Sequence, residues 1–213
     1  MRAAVLERPC VSGGPVRIGD GPEILAAIVE PQVQLALWQR PRPATLDWLD
    51  ALDWDEVDDI DTVIAGPDYR ASICRLLCAA GYPQIPEGNA LADEIVGFAS
   101  GFARLMECER LRVRLEVIET DACRKFHTDY VKARLLMPLV GPGTQWIDLR
   151  DGEDAPVNQL SLGHVGIFKG RLAVEEPTIL HRSPPVAVSG ETRLLLALDP
   201  APASSNNQEH CHA

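Results

Sequence analysis

The stretch "LRVRLEVIE", residues 111–119, decides how this chain folds. Leu111, Val113, Leu115 and Val117 alternate with Arg112, Arg114 and Glu116, which is the period-two pattern of a β-strand with one apolar face. N-terminal to it the apolar period is longer. Leu91, Ile95, Phe98, Phe102 and Leu105 recur at steps of three and four and form one stripe, so a helix is predicted from Ala90 to about Glu109. The change of period at Leu111 divides the chain. Residues 1–110 are expected to be mainly helical, 111–200 to form a β-barrel core, and the polar 201–213 to be a disordered tail, all within a single domain over 1–213.

Working outward from Leu111, "GPEILAAIVE" reads as a short helix, while Val33, Leu35 and Leu37 alternate in "QVQLALW" and suggest a strand. Pro41 and Pro43 break the chain before "ATLDWLDAL", a predicted helix with Thr45 as its cap. Another helix is predicted over Tyr69–Ala80, ended by Gly81 and Pro83. On the C-terminal side come "ARLLMPLV", "TQWIDL", "NQLSL", "VGIFKG", "PTILHRS" and "TRLLLALD". The turn signals "GPG", "RDGEDAP", "EEP", "PP" and "SGE" divide them. Helices followed by many short strands make an α+β class, with the N-terminal helices packed on a C-terminal barrel or sandwich.

Composition narrows the function. The 213 residues carry 31 acidic and 20 basic side chains, a net charge of −11, which argues against a nucleic-acid backbone as partner. Much of the acidity lies in Asp47–Asp61, which reads as a solvated helix and loop; a metal-loading surface is the alternative. No apolar run is long enough to span a membrane. The first residues lack the apolar core of a secretory signal, so a cytoplasmic location is expected. The six cysteines (10, 74, 78, 108, 123 and 211) are scattered and are read as free thiols. Cys74 and Cys78 lie one helical turn apart and read as buried small side chains beside Ile73 and Leu77.

In "KFHTDYVKARLL", His127 and Asp129 stand two apart, so on a strand their side chains share a face. That is two-thirds of the two-histidine, one-carboxylate facial triad of non-haem Fe(II) oxygenases. His181 in "ILHRSPPV" is the candidate third ligand, about fifty residues on. Arg193, in "SGETRLLLALD", shares a strand face with Leu195 and Ala197 and is placed to hold the distal carboxylate of a chelating 2-oxoacid. The alternatives are an ordinary His127–Asp129 hydrogen bond and a structural ion pair of Arg193 with Glu191 or Glu175. Tyr130, Arg134, Trp146 and Arg182 are candidate pocket residues. Arg182 is a competing anion binder, but it alternates away from His181 on a strand. His164 reads as a hydrogen-bonded strand histidine. His210, Cys211 and His212 offer a secondary metal-binding tail.

The order H-x-D, distal His, then Arg ("HTD", "LHRS", "GETR") resembles the Fe(II)/2-oxoglutarate-dependent oxygenase superfamily. More closely, "FHTDYVKARLL", "GPGTQW", "FKG" and "HRSPP…GETRLLLALDP" resemble a bacterial family known as domain of unknown function 1826. The superfamily resemblance implies a double-stranded β-helix (a jelly-roll, cupin-like barrel) that holds Fe(II) and 2-oxoglutarate and hydroxylates a small-molecule or protein substrate. Members of the bacterial family lie near zinc-responsive genes and GTPase metallochaperones. That context implies a second reading, a non-catalytic zinc-binding protein of metal homeostasis that uses the same His/Asp/His site, with a metallochaperone as partner. Arg193 favours the enzyme, because metal storage needs no carboxylate-binding guanidinium.

Overall fold

A computed structural model describes residues 13–120, 124–186 and 190–203. The period change at Leu111 holds: β4 runs Arg110–Ile118, after two helices, α1 (Tyr69–Ala79) and α2 (Pro86–Leu105). Asp68 caps α1 by accepting from the Ala71 amide, and α2 begins at Pro86, where a missing amide hydrogen costs nothing. After β4 come β5 (Ala133–Val140), β6 (Gln145–Asp148), β7 (Asn158–Gln159), β8 (Val165–Lys169), β9 (Ile179–Arg182) and β10 (Arg193–Pro200).

The first half is less helical than expected. It supplies three strands, β1 (Val16–Gly19), β2 (Leu35–Trp38) and β3 (Ile60–Ala65). The segments Pro22–Val29 and Ala44–Ala51 are 3₁₀ helices. Thr45 caps nothing: Pro43 occupies the cap position and no side chain bonds there. The acidic run is partly paired, since Arg42 holds Asp47 and Asp50, and Arg112 holds Asp61 across β3 and β4. Cys74 is half-buried and Cys78 exposed, so the core face of that helix is Tyr69, Ile73 and Leu77 rather than the cysteines. Cys10, Cys123 and the tail ligands His210, Cys211 and His212 lie outside the described residues.

A seven-stranded sheet has the order β1-β2-β8-β5-β10-β4-β3, antiparallel except for β1–β2; a three-stranded sheet has the order β7-β6-β9. A single bridge between His127 and His181 adds the 127 segment beside β9. In chain order from β4, the eight segments pair as nested shells: first with last, second with seventh, third with sixth, fourth with fifth. The two sheets enclose an inner core of Leu35, Leu37, Leu136, Trp146, Leu160, Phe168, Ile179, Leu195 and Ala197. The outer face of the large sheet packs under α1 and α2, where Ile73, Leu91, Ile95, Ala99 and Phe102 meet Leu111, Val113, Leu115, Leu194, Leu196 and Leu198. Among the described residues no helix is long and apolar enough to cross a membrane.

Two glycines mark where the packing has no room and where it has. A Cβ on Gly143, in the turn before β6, would lie 1.6 Å from the Leu160 carbonyl oxygen, whereas one on Gly97 in α2 would touch nothing. Gly143→Ala is therefore expected to destabilise by about 3 kcal/mol, the upper end of overpacking costs. Gly97→Ala should stabilise by about 0.5–1 kcal/mol through helix entropy. Urea denaturation of both variants checks the pair.

Candidate functional site

His127 and His181 face each other across a two-hydrogen-bond bridge. The His127 amide donates to His181 O at 3.0 Å and the His181 amide donates to His127 O at 2.9 Å. Such a pair sends both side chains to one side of the sheet, and the imidazole centroids stand 4.8 Å apart. The 127 segment is extended but carries only this one bridge, so the strand expected for His-x-Asp is a single rung. The two-residue spacing still brings Asp129 to the same face: Asp129 Oδ2 lies 3.0 Å from His181 Nε2, and Oδ1 lies 3.7 Å from His127 Nε2. One ligand atom from each of the three lies within 4.8 Å of the others, the only such grouping among the described residues.

The protons are arranged for lone pairs to converge. His127 Nδ1 lies 2.8 Å from the Lys125 carbonyl oxygen, a contact that requires Nδ1 to carry the hydrogen and, in the neutral ring, leaves Nε2 as acceptor. Burial holds the His181 imidazole below its ordinary value, hence neutral, whereas the Asp129 contact raises the more exposed His127. Burial alone would raise the Asp129 carboxyl; the two histidines and the Arg134 charge outweigh it and hold it well below the usual range. His181 Nδ1 is buried without a hydrogen-bond partner.

Arg134, on β5, is the hub behind the carboxylate. Its Nη1 sits 2.5 Å from Asp129 Oδ1, and its Nε and Nη2 donate to the two oxygens of Asp199 at 2.7 and 2.8 Å. Arg114, on β4, reaches the same Asp199 at 3.4 Å. Asp199 ends the apolar run of β10 and is almost wholly buried. Neither Asp199 nor Arg114 stands out in the sequence. The available signal is an acid closing an apolar strand and an arginine on the polar face of "LRVRLEVIE", a face that lines a cavity.

That cavity, of about 240 Å³, contains His127, His181, Arg134, Arg114, Arg182, Leu195 and Ala197 in its walls. Arg182 therefore shares the cavity of His181, contrary to strict alternation. It is the last residue of β9, and its long stem carries the guanidinium over the Phe126 ring. Trp146 is not in the cavity wall; it pairs in register with His181 and is inner core. Tyr130 is 78 % exposed and lines a separate cleft with Lys132 and Leu172. His164 lies in the turn before β8 rather than in a strand, and its Nδ1 is buried without a partner. Arg193 is fully buried at the head of β10, beside a register shift between Leu194 and Leu195. Its Nε donates to Pro142 O at 2.6 Å, and it is not among the residues of the 240 Å³ cavity.

Asp199 is the counter-charge of two guanidiniums, so its loss leaves cations in a region that water barely reaches. Asp199→Ala is expected to cost about 3–5 kcal/mol of stability. Asp61→Ala, which removes an exposed partner of Arg112, should cost under about 1 kcal/mol. Denaturant titration of the two variants separates the buried acid from the exposed one.

Several solved structures are similar to the chain at low identity. The rice dioxygenase for auxin oxidation is 15% identical with a TM-score of 0.48, covering 89% of this chain and 83% of its own. Dioxygenase for auxin oxidation 1 from Arabidopsis thaliana, solved as a 2-oxoglutarate binary complex, is 14% identical with a TM-score of 0.46, covering 76% and 74%. A Pseudomonas putida prolyl-4-hydroxylase is 11% identical with a TM-score of 0.46, covering 85% and 98%. No curated protein matches the sequence. The family model described as Protein of unknown function (DUF1826) matches residues 19–199, most of the chain, and the protein belongs to that family.

Proposed function

We propose that this protein is a non-haem Fe(II)- and 2-oxoglutarate-dependent oxygenase built on a double-stranded β-helix, with His127, Asp129 and His181 as the metal ligands. The observation that carries the reading is the His127–His181 bridge, which holds two imidazoles on one side of the strand pair, with ligand atoms of both within 4.8 Å of a carboxylate oxygen of Asp129. The nested pairing of eight segments supports the barrel. The donor set fits a divalent cation. His181 Nε2 and Asp129 Oδ2 are 3.0 Å apart and all three ligand atoms lie within 4.8 Å of one another, so one divalent cation would reach them with small side-chain adjustments. Asp129 Oδ2, which faces His181 Nε2, is the oxygen left for the ion, because Arg134 occupies Oδ1.

Bound iron with 2-oxoglutarate supplies oxygen activation and hydroxylation. The chain's own residues do the rest. His127, His181 and Asp129 would hold the metal, and Arg134, which holds Asp129 Oδ1, fixes the orientation of that carboxylate. Asp199 neutralises Arg134, so that Asp129 keeps its full charge for the cation. Leu136, Leu195 and Ala197 keep bulk water from the cavity floor. Arg193 is the proposed anchor for the distal carboxylate, a role that a fixed guanidinium suits better than an ammonium.

Anaerobic Fe(II) titration should give a metal-to-ligand charge-transfer band only when 2-oxoglutarate is also present. Tight Zn²⁺ binding with no response to 2-oxoglutarate would overturn the oxygenase reading in favour of metal homeostasis. Arg193→Ala should weaken 2-oxoglutarate binding by about 2–5 kcal/mol while leaving metal affinity near wild type. Asp199→Asn, which leaves Asp129 as the one carboxylate on Arg134 among the described residues and so draws its charge away from the cation, should lower Co²⁺ affinity about 10–100-fold, the usual cost of losing a group that orients a metal ligand.

A further inference from the structure

Three guanidiniums line the cavity that holds His127 and His181, and they are not equivalent. Arg134 is held by Asp129 and Asp199, and Arg114 by Asp199 and Glu116. Arg182 has no carboxylate partner among the described residues. It is nevertheless held in place. Its Nε donates to Gln145 Oε1 at 2.8 Å, its Cζ lies 4.3 Å over the Phe126 ring, and Nη1 makes only a long 3.5 Å contact with the Arg124 carbonyl. The amide fixes one edge of the guanidinium and the ring fixes one face. Among the described residues the terminal nitrogens remain as the open edge of a planar fork, on the residue next to His181.

We propose that Arg182 is an anion-binding subsite of this cavity and that it anchors the carboxylate of a small organic acid, the substrate to be hydroxylated. The inference rests on the oxygenase reading for the word substrate, but the subsite itself stands on Arg182 alone. A pre-oriented guanidinium binds a carboxylate bidentately and loses little side-chain entropy in doing so. The same cavity carries Asp59 and Glu116 in its wall. Arg114 and Arg134 already carry acids, so an entering anion has one open guanidinium to meet. The cavity volume of about 240 Å³ suits a metabolite of a few carbon atoms rather than a folded partner. Ser183 and Thr144 line it as well and offer hydroxyls to the uncharged part of such a molecule.

Butanoate and butanamide are matched in shape and differ in charge, and their binding to the metal-free full-length chain can be followed by saturation-transfer NMR. Butanoate is expected to bind at least ten-fold more tightly than butanamide. Arg182→Gln should abolish that preference, and Arg182→Lys, which keeps the charge but not the fork, should fall between. The same titration with saturating 2-oxoglutarate on Zn²⁺-loaded protein identifies the source of the anion. Simultaneous binding assigns Arg182 to the substrate, whereas mutual displacement assigns the subsite to the cosubstrate and overturns the substrate assignment. Equal affinities for acid and amide, or an unchanged butanoate affinity in both Arg182 variants, would overturn the subsite altogether. Co²⁺ titration of wild type and Arg182→Gln keeps the two readings apart. Failure of wild type to bind Co²⁺ sinks the oxygenase reading and leaves the butanoate result standing, and equal Co²⁺ affinity in the two proteins shows that the variant is folded around the triad.

Discussion

Burial of β10 on both faces is the constraint on which the rest depends. Leu194, Leu196 and Leu198 enter the core beneath the helices, while Leu195 and Ala197 enter the core between the sheets. A strand with no solvent face must have neighbours on both edges as well, since unpaired backbone groups there would cost several kcal/mol. β4 and β5 are those neighbours. The arrangement fixes what the two ends of the strand can do: Arg193 enters the interior at one end and Asp199 at the other, each delivered by a frame that cannot slide without turning leucines to the wrong side.

The second organising feature is electrostatic. Asp199, Arg134 and Asp129 form an alternating chain of charges that runs along the inner face of the large sheet, from β10 through β5 to the 127 segment. Burying any one of them alone would be prohibitive; together they are tolerated, because each charge is both solvated by and fixed by the next. What the chain gains is less stability than direction. A carboxylate with one oxygen tied to Arg134 presents the other to the point where the two imidazoles meet. The site is thus rigid on the carboxylate side and held on the histidine side by backbone pairing.

How much of this was legible depended on whether the signal was local. The alternation of β4 and the stripe of α2 were readable because each has one wet and one dry face. β10 was readable as a strand from its length and its flanking turns, despite having no alternation. β1 has only four residues and β3 emerges from an acidic run, so neither carries a pattern long enough to compete with the surrounding helix-like composition. The 3₁₀ segments have the apolar content of α-helices but no cap or length to sustain one. His127, Asp129 and His181 were legible as residue types at a spacing. The Asp199–Arg134 pairing was not, because it requires the register of β5 on β10. Arg182 was legible as a pocket candidate, and only its expected turn away from His181 failed, because alternation describes where a Cβ points, whereas a long side chain at a strand end can turn back over the edge.

The nested pairing also bears on when the site comes into being. The innermost shell, β6 with β7, joins neighbours in sequence, and each further shell closes a longer loop, until β4 meets β10. Loop closure of this kind slows folding, because the chain loses entropy before distant contacts repay it. His127 lies in the shell second from the outside, and its partner His181 arrives late on the ribosome. Until β9 has emerged and docked, the histidine and aspartate of the early segment form no complete donor set. An intermediate that has folded only its inner hairpins therefore lacks the proposed metal site, which is assembled only when the outer shells close.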